Sequence, residues 1–247
     1  MKKRLLFLIS ITVAQLASFA EECIELKKND NALILQRGDK PILTYHIKEV
    51  PPPEGVDKAY RRSGFIHPLH APSGGVVTGI HPGDHYHHIG LWHAWVNTNY
   101  PGYFSGNKKK KGPDFWNLGG HTAFIRHAEV LETRNSGFTV KQEHLAYLDG
   151  YEKKPTVILE EVFRVDAQFQ DGANIVDYEF TQTNVTKKPL DFPAYRYGGG
   201  IAYRGPMTWN KENSDYLTST GLDRTNSHAT RAKWVAMFGP TEKSGKS

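Results

Sequence analysis

The chain has 247 residues, of which 38% are hydrophobic, 12% aromatic and 23% charged, and its formal net charge is +5. This composition excludes a disordered chain and a collagen-like one, because the aromatic content suffices for a packed core and the 23 glycines are not periodic. A single cysteine excludes an intrachain disulfide framework and a zinc site built from paired cysteines.

The N-terminal residues are typical of a secretory signal peptide. Residues 2–4 are basic, residues 5–16 are mostly apolar, and residues 18–20 supply the small side chains expected before a cleavage site. The apolar run is too short for a membrane span, which takes ~20 residues. We therefore expect a signal peptide at 1–20 and a periplasmic or extracellular protein without stable membrane insertion. The remaining chain carries a net charge of +2, which removes the reason to expect a nucleic-acid partner.

Short runs of alternating or β-branched residues, separated by turn residues, predict strands along the rest of the chain. The predicted strands are 32–36, 42–47, 76–80, 138–142, 157–165 and 175–183. A polar Gln-Asp-Gly stretch joins the last two, which predicts a long antiparallel hairpin. No long segment has helical periodicity, so the predicted fold is all-β, a single antiparallel β-sandwich over residues 21–247.

The end of the chain permits two interpretations. Residues 232–238 predict a strand entering a turn, and the chain stops nine residues later. A natural end and a C-terminally incomplete sandwich are both consistent with this pattern.

The main chemical signal is a cluster of histidines, seven of the twelve lying between residues 67 and 93. Imidazole binds metals and is a general acid or base near neutral pH. In an extended chain, His85 and His87 would point to one face and His88 to the other. These three residues are the predicted acid/base catalysts. The alternative is a structural role, in which the imidazoles satisfy backbone groups of the loop.

A His-x-His pair is also a common way to offer two nitrogens to one metal ion. The corresponding hypothesis is a divalent metal, either zinc, manganese or calcium, bound by His85, His87 and His93. His70 and His121 are alternative third ligands.

Aromatic residues surround the histidine cluster, and aromatic faces beside polar groups suit sugar rings. Trp92 and Trp95 are predicted to belong to the core. The predicted substrate-binding residues of this region are His67, His70, Tyr86, Trp116 and Asn117.

An aromatic and arginine run before three consecutive glycines forms a second candidate region. Within it Arg196 can hold a carboxylate or a sugar hydroxyl, and Tyr197 is a further predicted binding residue. A strand bulge is the alternative reading of the glycines. Glu143 and Glu160 are the predicted carboxylate partners of the histidines. Since Glu160 and Glu161 face opposite ways in a strand, at most one of them points into a given pocket.

Three motifs resemble a bacterial family known as "methane oxygenase PmoA-like". They are HPLHAPSG at 67–74, DHYHHIGLWHAW at 84–95 and DFWN at 114–117. The resemblance extends over about residues 32–238. It implies a secreted β-sandwich of the galactose-mutarotase superfamily, in which a histidine and a carboxylate perform acid/base chemistry at a sugar ring. It also implies further strands beyond residue 247.

The predicted function is that of a secreted carbohydrate-active protein. We expect an enzyme that acts on a glycoside or an oxidised sugar, as a hydrolase, lyase or epimerase, through histidine and carboxylate acid/base chemistry. With no membrane span predicted, a methane monooxygenase is not expected. The alternatives are a non-catalytic carbohydrate-binding module and a β protein with a histidine-ligated metal.

Overall fold

The computed structural model describes residues 23–101, 103, 112–195 and 199–241. The predicted signal peptide lies outside this part of the chain. The strands are β1 (Ile24–Lys28), β2 (Ala32–Arg37), β3 (Lys40–His46), β4 (Ile66–Leu69), β5 (Leu91–Ala94), β6 (Ala123–Arg134), β7 (Gly137–Ala146), β8 (Thr156–Gln170), β9 (Ala173–Asn184), β10 (Gly200–Tyr203), β11 (Asp215–Thr218) and β12 (Val235–Phe238). Two 3-10 turns span Lys58–Tyr60 and Leu118–Gly120. These two turns are the helical segments of the described ranges, and neither is long and apolar enough to cross a membrane.

The strands form three antiparallel sheets. Six of them pair in the order β1-β2-β3-β4-β5-β10, and four pair in the order β6-β7-β8-β9. Strands β11 and β12 form a separate two-stranded sheet. All four residues of β12 are exposed, so this last sheet contributes little to the core.

The two larger sheets pack face to face. Leu33, Leu43 and Tyr45 from the six-stranded sheet share one buried cluster with Phe138 and Phe163 from the four-stranded sheet. Each of these side chains is almost completely shielded from solvent. Because one face of each sheet is apolar, stacking the two sheets buries both faces at once. The predicted all-β antiparallel sandwich is confirmed.

The long hairpin predicted near the middle of the chain is confirmed as β8 and β9. The two strands pair without interruption from Leu159 and Asn184 to Gln170 and Ala173. At the tip Asp171 and Gly172 have φ of 53° and 80°. Two consecutive positive φ angles define the type I′ turn that fits the twist of a hairpin.

The predicted strand at 76–80 is wrong. This segment forms only isolated bridges, His70 with Val76 and Ile80 with Ile89. Its other backbone bonds go to different neighbours, since Val77 N donates to Leu69 O and Gly79 N donates to Arg204 O. Because no single strand runs beside the segment, its backbone groups do not form the continuous hydrogen-bond ladder of a strand despite the apolar pattern.

A second apolar cluster lies beneath the histidine-rich segment. It contains the buried side chains Phe65, Ile89, Trp92, Phe115 and Ile125. These residues come from both larger sheets and from the loops between them. The histidine-rich segment therefore rests on a packed base.

Candidate functional site

Residues 81–88, the histidine loop, fold into two consecutive turns. His85 N donates to Pro82 O and His88 N donates to His85 O, both at 2.9 Å. His81 N donates to His88 O at 2.8 Å and closes the base of the loop. The extended conformation expected from the sequence is wrong here, because each turn reverses the chain direction. The turns bring the three rings together instead of alternating them.

The rings of His85, His87 and His88 form one cluster. His85 and His88 are stacked, with centroids 4.8 Å apart and an angle of 13° between their planes. His87 meets both rings edge-on, at 5.5 Å from His85 and 4.6 Å from His88. The three predicted catalytic imidazoles can therefore contact one ligand.

Asp114 holds the loop that brings Trp116 and Asn117 to this cluster. Its Oδ1 accepts hydrogen bonds from the backbone N–H groups of Trp116 (3.0 Å) and Asn117 (2.9 Å), and its Oδ2 accepts one from Asn117 Nδ2 (2.9 Å). The Trp116 ring lies edge-on to His88 at 6.3 Å and packs against Trp92 at 5.1 Å. Trp92 is buried, as predicted for a core residue.

These side chains face a concave cavity of about 1050 Å³, the imidazole cavity. Its wall includes five of the predicted site residues, His85, His87, His88, Trp116 and Asn117. Tyr195 and the segment 228–231 are the other residues of the wall within the described ranges. Small-molecule sites are usually about 300–1000 Å³, so the cavity has room for a sugar residue with a neighbouring unit.

Burial first, and then repulsion from neighbouring imidazoles, lower the pKa of His87 and of His88 to about 4. Both rings are therefore neutral at pH 7, and each offers one N–H donor and one bare nitrogen. Asp84 Oδ2 lies 3.0 Å from His85 Nδ1. The hydrogen bond from His85 lowers the pKa of Asp84, so an ionised carboxylate orients that ring.

The predicted carboxylate partners do not reach the imidazole cavity. Arg126 donates to Glu143 Oε2 through Nε and Nη2, at 2.8 and 2.7 Å. Glu160 is the register partner of Glu143 on the next strand. Both lie on the face of the four-stranded sheet opposite the core, because the next register pair, Gln142 and Glu161, is buried. The expected pocket of histidines with Glu143 or Glu160 is not formed.

Glu161 instead lies at the centre of a buried polar cluster with Arg62, His93, His144 and Gln182. Glu161 Oε2 lies 2.5 Å from His93 Nδ1 and 3.3 Å from His144 Nε2, and it accepts a hydrogen bond from Gln182 Nε2 at 2.6 Å. Burial alone would raise the pKa of Glu161, but the hydrogen bonds with His144 and His93 hold it well below its usual range. The carboxylate is therefore ionised inside the sandwich.

The predicted metal ligands do not converge. His93 belongs to the buried polar cluster, where its ring stacks on Phe180 at 4.4 Å, whereas His85 and His87 line the imidazole cavity. His121 Nε2 lies 2.8 Å from Asp57 Oδ2, away from that cavity. Over the described ranges, no group of three or more His, Cys, Asp or Glu residues is arranged to hold a metal ion. The residues present do not fit the expected three-ligand site.

Three further predicted binding residues lie outside the cavity wall. His67 Nδ1 lies 2.9 Å from Thr78 Oγ1, and His70 Nδ1 lies 3.1 Å from a backbone carbonyl of the following turn. The Tyr86 ring packs against Tyr60 with centroids 5.7 Å apart. These contacts stabilise the loops around the histidine loop. Burial lowers the pKa of His67 to about 4.

Five residues of the described cavity wall are not among the predicted site residues, namely Tyr195 and the segment 228–231. The predicted residues Arg196 and Tyr197 lie outside the described residues. One signal did exist for the C-terminal part, because the family resemblance noted in the sequence extends to about residue 238. The sequence separation of these residues from the histidine loop concealed their common location.

The fold and the site together define an all-β sandwich protein with an imidazole-lined cavity beside its second apolar cluster. The profile of a family of unknown function, DUF6807, matches residues 32–247, and the chain belongs to this family. No curated protein and no solved structure matches the chain. The PmoA-like name and the galactose-mutarotase relationship stay predictions.

Proposed function

We propose that the protein is a secreted carbohydrate-active enzyme that acts on a glycoside or an oxidised sugar by imidazole acid/base chemistry. The observation that carries this proposal is the convergence of His85, His87 and His88 with Trp116 and Asn117 on one cavity. An aromatic face stacks on the C–H face of a sugar ring, and an adjacent amide binds its hydroxyls. The imidazoles then lie beside the bound ring.

The three imidazoles differ in their surroundings, which suggests different roles. The neutral rings of His87 and His88 can accept a proton. His85, oriented by the ionised Asp84, can donate one when it is protonated. Removal of a proton beside a carbonyl and its return at a second position needs only such a base and such an acid. Hydrolysis and elimination of a glycoside need the same pair.

The cellular location and the wider relationship are parts of the same proposal. The basic and apolar pattern of residues 1–20 supports export, and the two-sheet architecture is compatible with a galactose-mutarotase-like sandwich. The proposed location suits the proposed substrate, because an exported protein can encounter polysaccharides outside the cell.

A non-catalytic carbohydrate-binding module is the second candidate. One observation favours it: among the described residues of the cavity wall there is no carboxylate, and Glu143 and Glu160 lie elsewhere. A module would keep the stacking and hydrogen-bonding groups and would release the sugar unchanged.

Turnover of a glycoside and uronate panel by the purified full chain tests the proposal. We expect His87→Gln and His88→Gln to lower turnover at least about 100-fold, the usual contribution of a general acid or base. His121→Gln, a histidine outside the cavity, is the matched control and should retain turnover. Sugar binding without turnover in the unmodified protein would establish the binding module instead. Unchanged turnover in both cavity variants would refute the imidazole mechanism.

A further inference from the structure

The segment 228–231 brings a permanent positive charge to the imidazole cavity. Arg231 and His228 both lie in the cavity wall. Arg231 forms no ion pair with any residue that the structure describes, unlike Arg126, which binds Glu143. An unpaired guanidinium in a concave wall is available to a ligand.

The two nearby acids, Asp84 and Asp114, are not among the described residues of the cavity wall. Asp84 pairs with His85 and its side chain is 68% exposed to solvent. Both oxygens of Asp114 are occupied by hydrogen bonds from Trp116 and Asn117. The described wall therefore combines one guanidinium with four imidazoles and lacks a carboxylate. Clefts lined by one sign of charge concentrate ligands of the opposite sign.

We infer that the imidazole cavity takes an anionic sugar, a uronate, whose carboxylate is bound by Arg231 and whose ring packs on Trp116. This inference rests on the proposed carbohydrate function and narrows its substrate class. A guanidinium fork matches the two oxygens of a carboxylate, and such charge-assisted pairs are roughly twice as strong as neutral ones. His228, a second residue of the same segment in the wall, offers a further N–H donor.

The bound carboxylate also strengthens the acid/base groups. Repulsion from His85 lowers the pKa of His87 and of His88, and Arg204 also lowers that of His88. The negative charge of Asp84 raises the pKa of both rings, and that of Asp114 raises the pKa of His87. An added negative charge nearby favours the protonated imidazole and raises its pKa towards neutrality. A base is most effective when its pKa is near the working pH. The anionic ligand would thus turn weakly basic imidazoles into competent ones.

Isothermal titration of the full chain with matched sugar pairs tests the inference. The pairs are glucose with glucuronate, galactose with galacturonate, and mannose with mannuronate. We expect the acid of at least one pair to bind about tenfold or more tightly than its neutral partner, and Arg231→Gln to remove that preference. Arg164→Gln, which changes an exposed arginine on β8 outside the cavity, is the matched control and should keep the preference. Trigalacturonate in the same series distinguishes a free uronate from the end of an acidic polysaccharide.

Equal binding of acid and neutral partners, or a preference that persists in Arg231→Gln, would overturn the uronate assignment while leaving the carbohydrate function in place. The absence of binding for every sugar, with a folded protein by circular dichroism, would overturn both. A preference lost in Arg231→Gln and kept in Arg164→Gln supports both.

Discussion

At the scale of single residues, two adjacent glutamates of β8 have opposite roles. Glu161 is fully buried and interacts with the buried guanidinium of Arg62, whereas Glu160 is partly exposed. Arg62 Nη2 donates to His93 O at 3.0 Å, but Nε and Nη1 have no hydrogen-bond partner in the part of the chain that the structure describes. The carboxylate of Glu161 therefore supplies the main electrostatic compensation for the charge of Arg62. We expect Glu161→Gln to lower the free energy of unfolding by about 3–5 kcal/mol, the usual cost of leaving a buried charge unpaired.

Urea denaturation followed by tryptophan fluorescence measures this loss. Glu160→Gln is the matched control on the same strand, and we expect it to cost less than about 1 kcal/mol. Equal midpoints for the two variants would show that the buried polar cluster contributes no net stability through Glu161.

The sequence contained part of the signal for Glu161. In β8 the residues Phe163 and Val165 share its parity, and an apolar stripe on that face predicts that Glu161 also points inward. Its partners were beyond sequence reasoning, because His93 and Gln182 reach it from other strands. The alternation of apolar residues along a strand identifies which side chains point into the sandwich, but it does not identify the residues of other strands that they contact.

At the scale of elements, the conformation of the histidine loop depends on Gly90. This residue has φ of 60°, and a Cβ there would contact the backbone oxygen of Ile66 and lie 2.9 Å from His67 Cβ. We expect Gly90→Ala to lower the free energy of unfolding by about 2 kcal/mol, because a left-handed backbone and a steric contact act together. The same change should weaken sugar binding, since the histidine loop ends at His88, two residues before Gly90.

Thermal denaturation and ligand titration check this expectation. Gly83→Ala is the matched control within the loop, because a Cβ at Gly83 meets nothing within 4 Å. Similar melting temperatures for the two alanine variants would show that the fold does not need a glycine at position 90.

Elements with strict alternation were predictable, and elements shaped by turns were not. Alternation of apolar and polar residues with a period of two predicted strands within β7, β8 and β9, and the turn residues predicted the hairpin at Asp171 and Gly172. Residues 85–88 were expected to be extended, but the hydrogen bonds from His85 N to Pro82 O and from His88 N to His85 O fold them into turns. Imidazoles carry no preference for a face, so only the turn geometry decides where the rings meet.

At the scale of the whole molecule, the imidazole cavity is a long-range assembly. The histidine loop and the loop at 114–117 belong to the motifs singled out in the sequence, and Trp116 and Asn117 do meet the histidines. The segment 228–231 completes the wall from more than a hundred residues further along the chain. Composition and motifs therefore predicted the chemistry of one side of the cavity, and only the folded chain shows the charged residue on the other side.

The molecule as a whole should be sensitive to acid. Burial is the first cause that lowers the pKa of six described histidines, namely His46, His67, His87, His88, His127 and His144. For three of them, His67, His87 and His88, the pKa falls to about 4. In the unfolded chain these groups return to a pKa of about 6.5. Between these values the unfolded chain binds more protons than the folded one, so stability is fully present above pH ~6.5 and is lost as the pH falls towards ~4.

Urea unfolding between pH 5 and pH 8 measures this linkage. Uptake of at least one proton on unfolding corresponds to a slope of about 1.4 kcal/mol or more per pH unit near pH 5.5. The lowered pKa of Glu161 acts in the same direction at more acidic pH, because its protonation also favours the unfolded chain. His67→Gln should make the acid limb shallower, since it removes one group whose pKa burial lowers to about 4 in the folded chain. A stability that does not change between pH 5 and pH 7 would show that the folded and unfolded chains bind the same number of protons, so that burial does not lower the pKa of these histidines.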